Sequence, residues 1–207
     1  MINLDDLKYY LNINDGTQDE FLLKLIDMAV ERINNLCRRS INYGVRFDVK
    51  DGNGQNLIWL KDYPVEKITA IKYRKETGSF DHDLFPDGNI EGNIYLDKKT
   101  GKLLLLNNYV LPNGASNVQI RYYSGYMDNA PDPVNETPKD LKSIALLMSA
   151  ELFLKSFQNA GEEITRRLGL LHFEHVIKGN DNESRRDFTY KDEDYENLLE
   201  KYKSLKV

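Results

Sequence analysis

Apolar residues recur at three- and four-residue spacing over residues 18–38, where Leu22, Ile26, Ala29, Val30, Ile33, Leu36 and Cys37 would share one side of a helix. A shorter helix precedes it. Asn3 can cap that helix with Asp6 at the N3 position, Leu4, Leu7 and Leu11 fall on one side, and Asn14-Asp15-Gly16 ends it. From Tyr43 the period drops to two: Val45, Phe47 and Val49 alternate with Arg46, Asp48 and Lys50, as in a strand with one buried face. Asp51-Gly52-Asn53-Gly54 suits a tight hairpin, with Leu57-Ile58-Trp59-Leu60 as the returning strand. Further strands are predicted at residues 68–73, 94–96, 103–106 and 118–123, separated by turns rich in Gly, Asn, Asp and Pro.

Residues 128–138 carry three prolines in a polar setting, which excludes regular helix or a central strand there. Helix restarts with Thr137 as N-cap, Pro138 at N1 and Asp140 at N3. It runs to about Phe157, and Leu141, Ile144, Ala145, Leu147, Met148, Leu152, Phe153 and Leu154 cover most of its circumference, so it is predicted to be buried on more than one side. Residues 178–187 are polar and lack apolar periodicity. A last helix is predicted over residues 192–203, with Tyr195, Leu198, Leu199 and Tyr202 at i, i+3, i+4 and i+7.

Helices on both sides of a β segment, with neither flank apolar enough to fold alone, predict an α+β chain: a helical bundle lobe with an inserted antiparallel β-sandwich or barrel. The discontinuous helical domain is expected to take residues 1–42 and 130–207, and the inserted β domain residues 43–129.

Composition narrows the function. With 41% hydrophobic and 29% charged residues the chain can pack a core. Its longest apolar stretch, residues 144–157, is interrupted by Ser149, Glu151, Lys155 and Ser156, well short of the roughly 20 apolar residues a bilayer requires, so no membrane role is expected. The N-terminus is acidic, without the basic and apolar regions of a secretory signal, and predicts a cytoplasmic origin. Cys37 is the single cysteine and reads as a small buried hydrophobe. A net charge of −5 offers phosphate no general attraction, and Arg38-Arg39, Arg166-Arg167 and Arg185-Arg186 read as ordinary surface charge.

Candidate chemistry is sparse. His172 and His175 stand at i, i+3 but lack the His-Glu-x-x-His pattern and a third ligand. Asp81-His82-Asp83 and Asp192-Glu193-Asp194 gather carboxylates typical of loops and helix starts, and Asp51-Gly52-Asn53-Gly54 fails as a calcium loop because Asn56 stands where glycine is needed. Nucleophile elbow, phosphate loop and zinc cysteine set are all absent from the sequence, so no catalytic, metal or cofactor-binding residue is assigned and the chain is expected not to be an enzyme. Thirteen tyrosines, among them Tyr9-Tyr10, Tyr122-Tyr123 and Tyr126, suit a surface that meets other proteins.

The order of segments resembles the phage head-to-tail connector (adaptor) family, which includes the adaptors of gene transfer agents. Leu4-Asp5-Asp6-Leu7-Lys8-Tyr9-Tyr10-Leu11 leads to a long helix ending Ile33-Asn34-Asn35-Leu36-Cys37-Arg38-Arg39. Leu60-Lys61-Asp62-Tyr63-Pro64-Val65-Glu66-Lys67-Ile68 is similar to the strand, Pro-Val turn and strand of these proteins. Ile120-Arg121-Tyr122-Tyr123-Ser124-Gly125-Tyr126 is similar to their closing strand and Gly-Tyr ending, and Pro138-Lys139-Asp140-Leu141-Lys142 to the start of their central helix. The likeness covers residues 1–158; after Gly161, Ile164-Thr165-Arg166-Arg167-Leu168-Gly169-Leu170-Leu171 departs from it.

The resemblance implies a homo-oligomeric ring of about a dozen subunits beneath the portal in the virion neck, assembled in the host bacterial cytoplasm. Double-stranded DNA would pass through without sequence-specific binding, and the stopper (head-closure) or tail completion protein would attach below. It implies no cofactor. It also points to Tyr195, Leu198, Leu199 and Tyr202 as an amphipathic helix that docks on the portal protein. Two other readings use the same residues differently: a β-sandwich module of a tail or baseplate component recognising a host glycan or protein through tyrosines and Trp59, and a hydrolase or nuclease with His172 or His175 as base.

Overall fold

The computed structural model describes residues 2–75, 78–158 and 192–203. Helices α1 (Leu4–Leu11) and α2 (Asp19–Cys37) come first. Strands β1 (Gly44–Gly52), β2 (Leu57–Trp59), β3 (Val65–Tyr73), β4 (His82–Asp83), β5 (Ile94–Asp97), β6 (Lys102–Leu105) and β7 (Gly114–Ser124) follow, then α3 (Lys139–Gln158) and α4 (Asp192–Leu198), with a 3-10 turn at Glu200–Tyr202. The fold is α+β with antiparallel sheets, and among the described residues the sheets form no closed barrel. Two compact units divide the described residues: 2–36 with 139–158 and 192–201, and 37–75 and 78–138 with 202–203.

In the helical unit α1 starts with a full capping box. The Asn3 side chain accepts from the Asp6 N–H at 2.7 Å, and the Asp6 carboxylate accepts from the Asn3 N–H at 3.3 Å. Asn12, at φ +56°, closes the helix in the left-handed region. Lys8 reaches Asp19 at 2.7 Å and ties α1 to the start of α2. Leu22, Leu25, Ile26, Ala29, Val30 and Ile33 form the buried side of α2, each contributing roughly 1–3 kcal/mol through removal from water. On α3, Leu141, Ile144, Ala145, Met148, Ala150 and Phe153 are buried, and the residues between them are mostly half-buried, so that helix is enclosed on several sides as its sequence predicts.

The β unit holds one apolar core between two sheets. The four-stranded sheet has the order β1-β7-β3-β4, the three-stranded sheet β2-β6-β5, and Ile68, Ile71, Ile120 and Tyr122 of the first meet Ile58, Leu103 and Leu105 of the second. The predicted hairpin does not form. β1 pairs with the distant β7, Asp48 opposite Ile120, while β2 pairs with β6, Ile58 opposite Leu103. Gly52 shows why: a Cβ there would stand 1.6 Å from the Pro112 carbonyl oxygen, so the glycine lets another stretch of backbone pass. Asn117 locks the crossing by accepting from the Gly52 N–H at 2.7 Å and donating to the Pro112 carbonyl at 2.8 Å. The chain therefore changes sheets at this glycine rather than turning back.

β1 also presents its faces in an unexpected sense. Phe47 is 57% exposed and Val49 49% exposed, whereas Asp48 is buried. The apolar side of this edge strand faces out and the polar side faces in, because Asp48 has buried partners described below. Thr137 departs from its predicted role as well. Helix α3 begins at Lys139, and the Thr137 hydroxyl is buried with no hydrogen-bond partner among the described residues, while its N–H is held by the Met127 carbonyl at 3.2 Å. Asp140 does sit in the first turn of α3, where its charge favours the exposed N–H groups.

Candidate functional site

At the end of α2, Arg38 takes a left-handed φ of +56° and turns the chain, so that Arg39 points inward and is only 3% exposed. Its guanidinium lies 3.8 Å from the centroid of the Tyr63 ring. Nε donates to the Tyr202 carbonyl at 2.6 Å, and Nη1 donates to the Tyr63 carbonyl. Tyr63 completes the grip, its hydroxyl donating to the Lys203 carbonyl at 2.6 Å, and the Tyr126 ring meets Tyr202 edge-on at 6.0 Å. An arginine read from sequence as surface charge is thus buried and, together with the Tyr63 hydroxyl, clamps the consecutive backbone carbonyls of Tyr202 and Lys203. Fixed charge and a planar fork of donors suit that task.

Beside the clamp, three loops are tied by backbone. The Pro64 carbonyl accepts from the Gly125 N–H at 2.9 Å and from the Asn135 amide at 3.2 Å; the same amide donates to the Gly125 carbonyl at 2.7 Å. Tyr126 N–H donates to the Ile41 carbonyl at 2.8 Å, and Tyr43 N–H to the Tyr126 carbonyl at 3.0 Å. The Asp62-Tyr63-Pro64 and Ser124-Gly125-Tyr126 segments, far apart in sequence, meet here.

Under them runs a chain of buried polar groups. The Tyr122 hydroxyl donates to Asp48 Oδ1 at 3.1 Å and accepts from the Asp62 N–H at 3.2 Å. Asp48 Oδ2 accepts from the Lys61 N–H at 2.9 Å, Asp62 Oδ1 from the Ser40 N–H at 2.9 Å, and Arg46 Nε lies 3.5 Å from Asp62 Oδ2. Satisfying Asp48 in this way is what turns β1 polar side inward. Burial is the main influence on the titratable groups. It pushes Asp62 above the usual carboxylate range, against the opposing pull of the Ser40 N–H and Arg46, and raises the Tyr122 hydroxyl further still with help from the Asp48 charge. Cys37 is fully buried, as its sequence context predicts, and burial raises its thiol to about 11. Apart from Arg46 Nε, which stands near Asp62 without a hydrogen bond among the described residues, these donors and acceptors are spent on one another, so the arrangement positions chain segments.

The raised Asp62 pKa has a signed consequence. The folded state holds that proton more tightly than the unfolded chain, so the ionised carboxylate is a load on the fold above the folded pKa, and the load vanishes as pH falls through it. Asp62→Asn is therefore expected to gain in stability relative to the parent chain as pH rises from about 3 to about 7. Urea midpoints at both ends of that range check this. A deficit that grows toward neutral pH would mean that Arg46 and the Ser40 N–H outweigh burial.

The predicted docking residues fall in two classes. Tyr195 and Leu199 are fully buried and Tyr202 nearly so, while Leu198 is 46% exposed. The Tyr195 hydroxyl donates to Glu151 Oε2 at 2.7 Å and its ring lies 5.3 Å from the Arg32 guanidinium carbon. The apolar stripe is real, but three of its four members pack inside their own chain. Of the weaker candidates, His82 lies against the Tyr73 ring at 5.2 Å, and its Nε2 is 3.5 Å from Asp81. Glu193 and Asp194 are exposed in α4. No group of three or more His, Cys, Asp or Glu is placed to hold a metal among the described residues. His172, His175, Arg166-Arg167 and Arg185-Arg186 lie outside the described residues.

Three comparisons bear on this arrangement. A family model described as head completion protein matches residues 1–163. No curated protein matches. Among solved structures, the chain is similar to one from the neck of an empty gene transfer agent particle computed with C6 symmetry, with a TM-score of 0.60, 13% identity, and coverage of 100% of this chain and 91% of that one. It is also similar to a chain from the neck of a native gene transfer agent particle computed with C12 symmetry, with a TM-score of 0.57, 13% identity, and coverage of 99% and 89%. At that identity the likeness concerns the fold.

Proposed function

The chain belongs to the head completion protein family, and from that membership we propose that it is a structural connector subunit that joins head to tail in a phage or phage-like particle. The observation that carries the proposal is the family match over residues 1–163, which includes Arg39, Tyr63 and the Gly125 junction. In this reading identical copies close into a ring in the virion neck, a geometry that heterologous contacts produce when their rotation closes. The symmetric necks of the two fold relatives support it. The ring binds the portal on one side and a stopper or tail completion protein on the other, double-stranded DNA passes through without base-specific contact, and the chain works without catalysis. Assembly takes place in the host cytoplasm. A net charge of −5 favours passage, because a channel with few cations gives phosphate little to hold.

Tyr195, Leu198, Leu199 and Tyr202 are the proposed portal contacts. Leu198 offers itself as the segment stands, and the other three become available only if the terminal segment leaves its seat. Leu198→Asp should weaken co-sedimentation with the cognate portal by about tenfold or more, as loss of a buried apolar anchor does, while leaving the melting temperature within about 2 °C. Undiminished portal binding by this variant would remove Leu198 from the contact.

A further inference from the structure

The outer face of the β1-β7-β3 sheet is apolar along one side and basic beside it. Register places Val45 opposite Tyr123, Phe47 opposite Arg121 and Val49 opposite Gln119, and on the far side of β7 sets Lys67 opposite Tyr123 and Lys72 opposite Gln119. Phe47, Val49, Arg121 and Lys67 are exposed. Arg121 covers the Phe47 ring with its guanidinium carbon 5.7 Å from the centroid; Lys67 and Lys72 stand 3.9 Å and 3.7 Å from Glu66 and Asp83. β1 turns Arg46, Asp48 and Lys50 inward, and inward charges on an edge strand discourage another strand from adding to it. A partner would therefore meet the face of the sheet and not its edge.

The exposed side of α2 is built in the opposite sense. Glu20, Asp27 and Glu31 form a stripe spanning about 16 Å of helix, with Leu23 and Met28 exposed on its two flanks. Glu20 is held by Lys24 at 2.8 Å, which leaves Asp27 and Glu31 as the unneutralised acids of the stripe among the described residues. Laid on the sheet, this side would set its acids over Arg121, and one apolar flank over Phe47 and Val49. Apolar positions matched to apolar ones and acid to base give both adhesion and selectivity.

We propose that the outer face of the β1-β7-β3 sheet receives the α2 side of a second copy of this chain, which makes this pair of surfaces the heterologous contact of the ring. The inference rests on the ring reading above. Because the two surfaces differ, each copy offers one of each, and the contact propagates in one direction until it closes.

Sedimentation velocity and negative-stain imaging of the full chain over a range of concentrations test it. The parent chain is expected to form closed rings. Phe47→Asp and Arg121→Glu, both on exposed side chains, should each shift the ring's concentration midpoint upward by at least tenfold with an unchanged melting temperature, as should Glu31→Arg. Arg121→Glu combined with Glu31→Arg in one chain should recover most of the loss, since every interface then carries the reversed pair. A parent chain that stays monomeric throughout would overturn the ring reading itself. Parent rings untouched by Phe47→Asp and Arg121→Glu would overturn the surface assignment alone, as would variants that keep the ring and lose only portal binding.

Discussion

Gly125→Ala is expected to destabilise the β unit by about 2–5 kcal/mol, from a left-handed φ penalty of about 1–2 kcal/mol together with overpacking of about 1–3 kcal/mol. Gly125 has φ +100°, and a Cβ there would stand 2.3 Å from the Asn42 carbonyl oxygen and 2.7 Å from the Tyr43 nitrogen. Those neighbours are backbone atoms, fixed by the Tyr126–Ile41 and Tyr43–Tyr126 hydrogen bonds, so they have little room to yield. The Gly-Tyr ending of the closing strand thus has a physical reason: glycine admits the strand that follows α2, and the next residue ties it down. Gly78→Ala is the control, since nothing lies within 4 Å of a Cβ there, and it should shift stability by no more than about 0.5 kcal/mol. Urea unfolding of both variants checks the contrast, and a parent-like midpoint for Gly125→Ala would contradict the described junction.

Arg39→Ala should cost about 3 kcal/mol, because two charge-assisted hydrogen bonds and the stacking on Tyr63 disappear together from a buried site. Arg39→Lys is expected to recover little, since an ammonium cannot reach two carbonyls while lying flat on a ring. The loss should be local as well as global: hydrogen exchange at Tyr202 and Lys203 should accelerate beyond what the change in overall stability accounts for. Loss of stability with the C-terminal amides still protected would show that Arg39 supports the core and does not hold the terminal segment.

Local signals in the sequence carried much of the secondary structure. Asn3 and Asp6 form the predicted capping box, and the three- and four-residue spacing of α2 and the all-round apolar character of α3 appear as expected, because each depends on neighbours within a turn or two. Pairing was less legible. The alternation in β1 announces a strand, but which face turns inward depends on Tyr122 and Lys61, residues that reach Asp48 only through tertiary contact. The Gly52-Asn53-Gly54 stretch advertises a tight turn; its actual service is to let Pro112 pass, which no local rule reveals. The C-terminal stripe was visible as a period, yet a period shows that a face is covered and not what covers it. For Tyr195 that cover is Glu151 and Arg32. Arg39 was missed because an arginine pair after a helix is ordinary; the one available hint was its place beside the buried Cys37.

The central claim is that this chain closes into a ring on the portal. Electron cryomicroscopy of the full chain mixed with the portal complex of its own particle tests it most directly. The account predicts a closed ring of copies coaxial with the portal, with the outer face of the β1-β7-β3 sheet of each copy against α2 of the next. Single copies scattered on the portal, or a chain that leaves the portal bare, would contradict it.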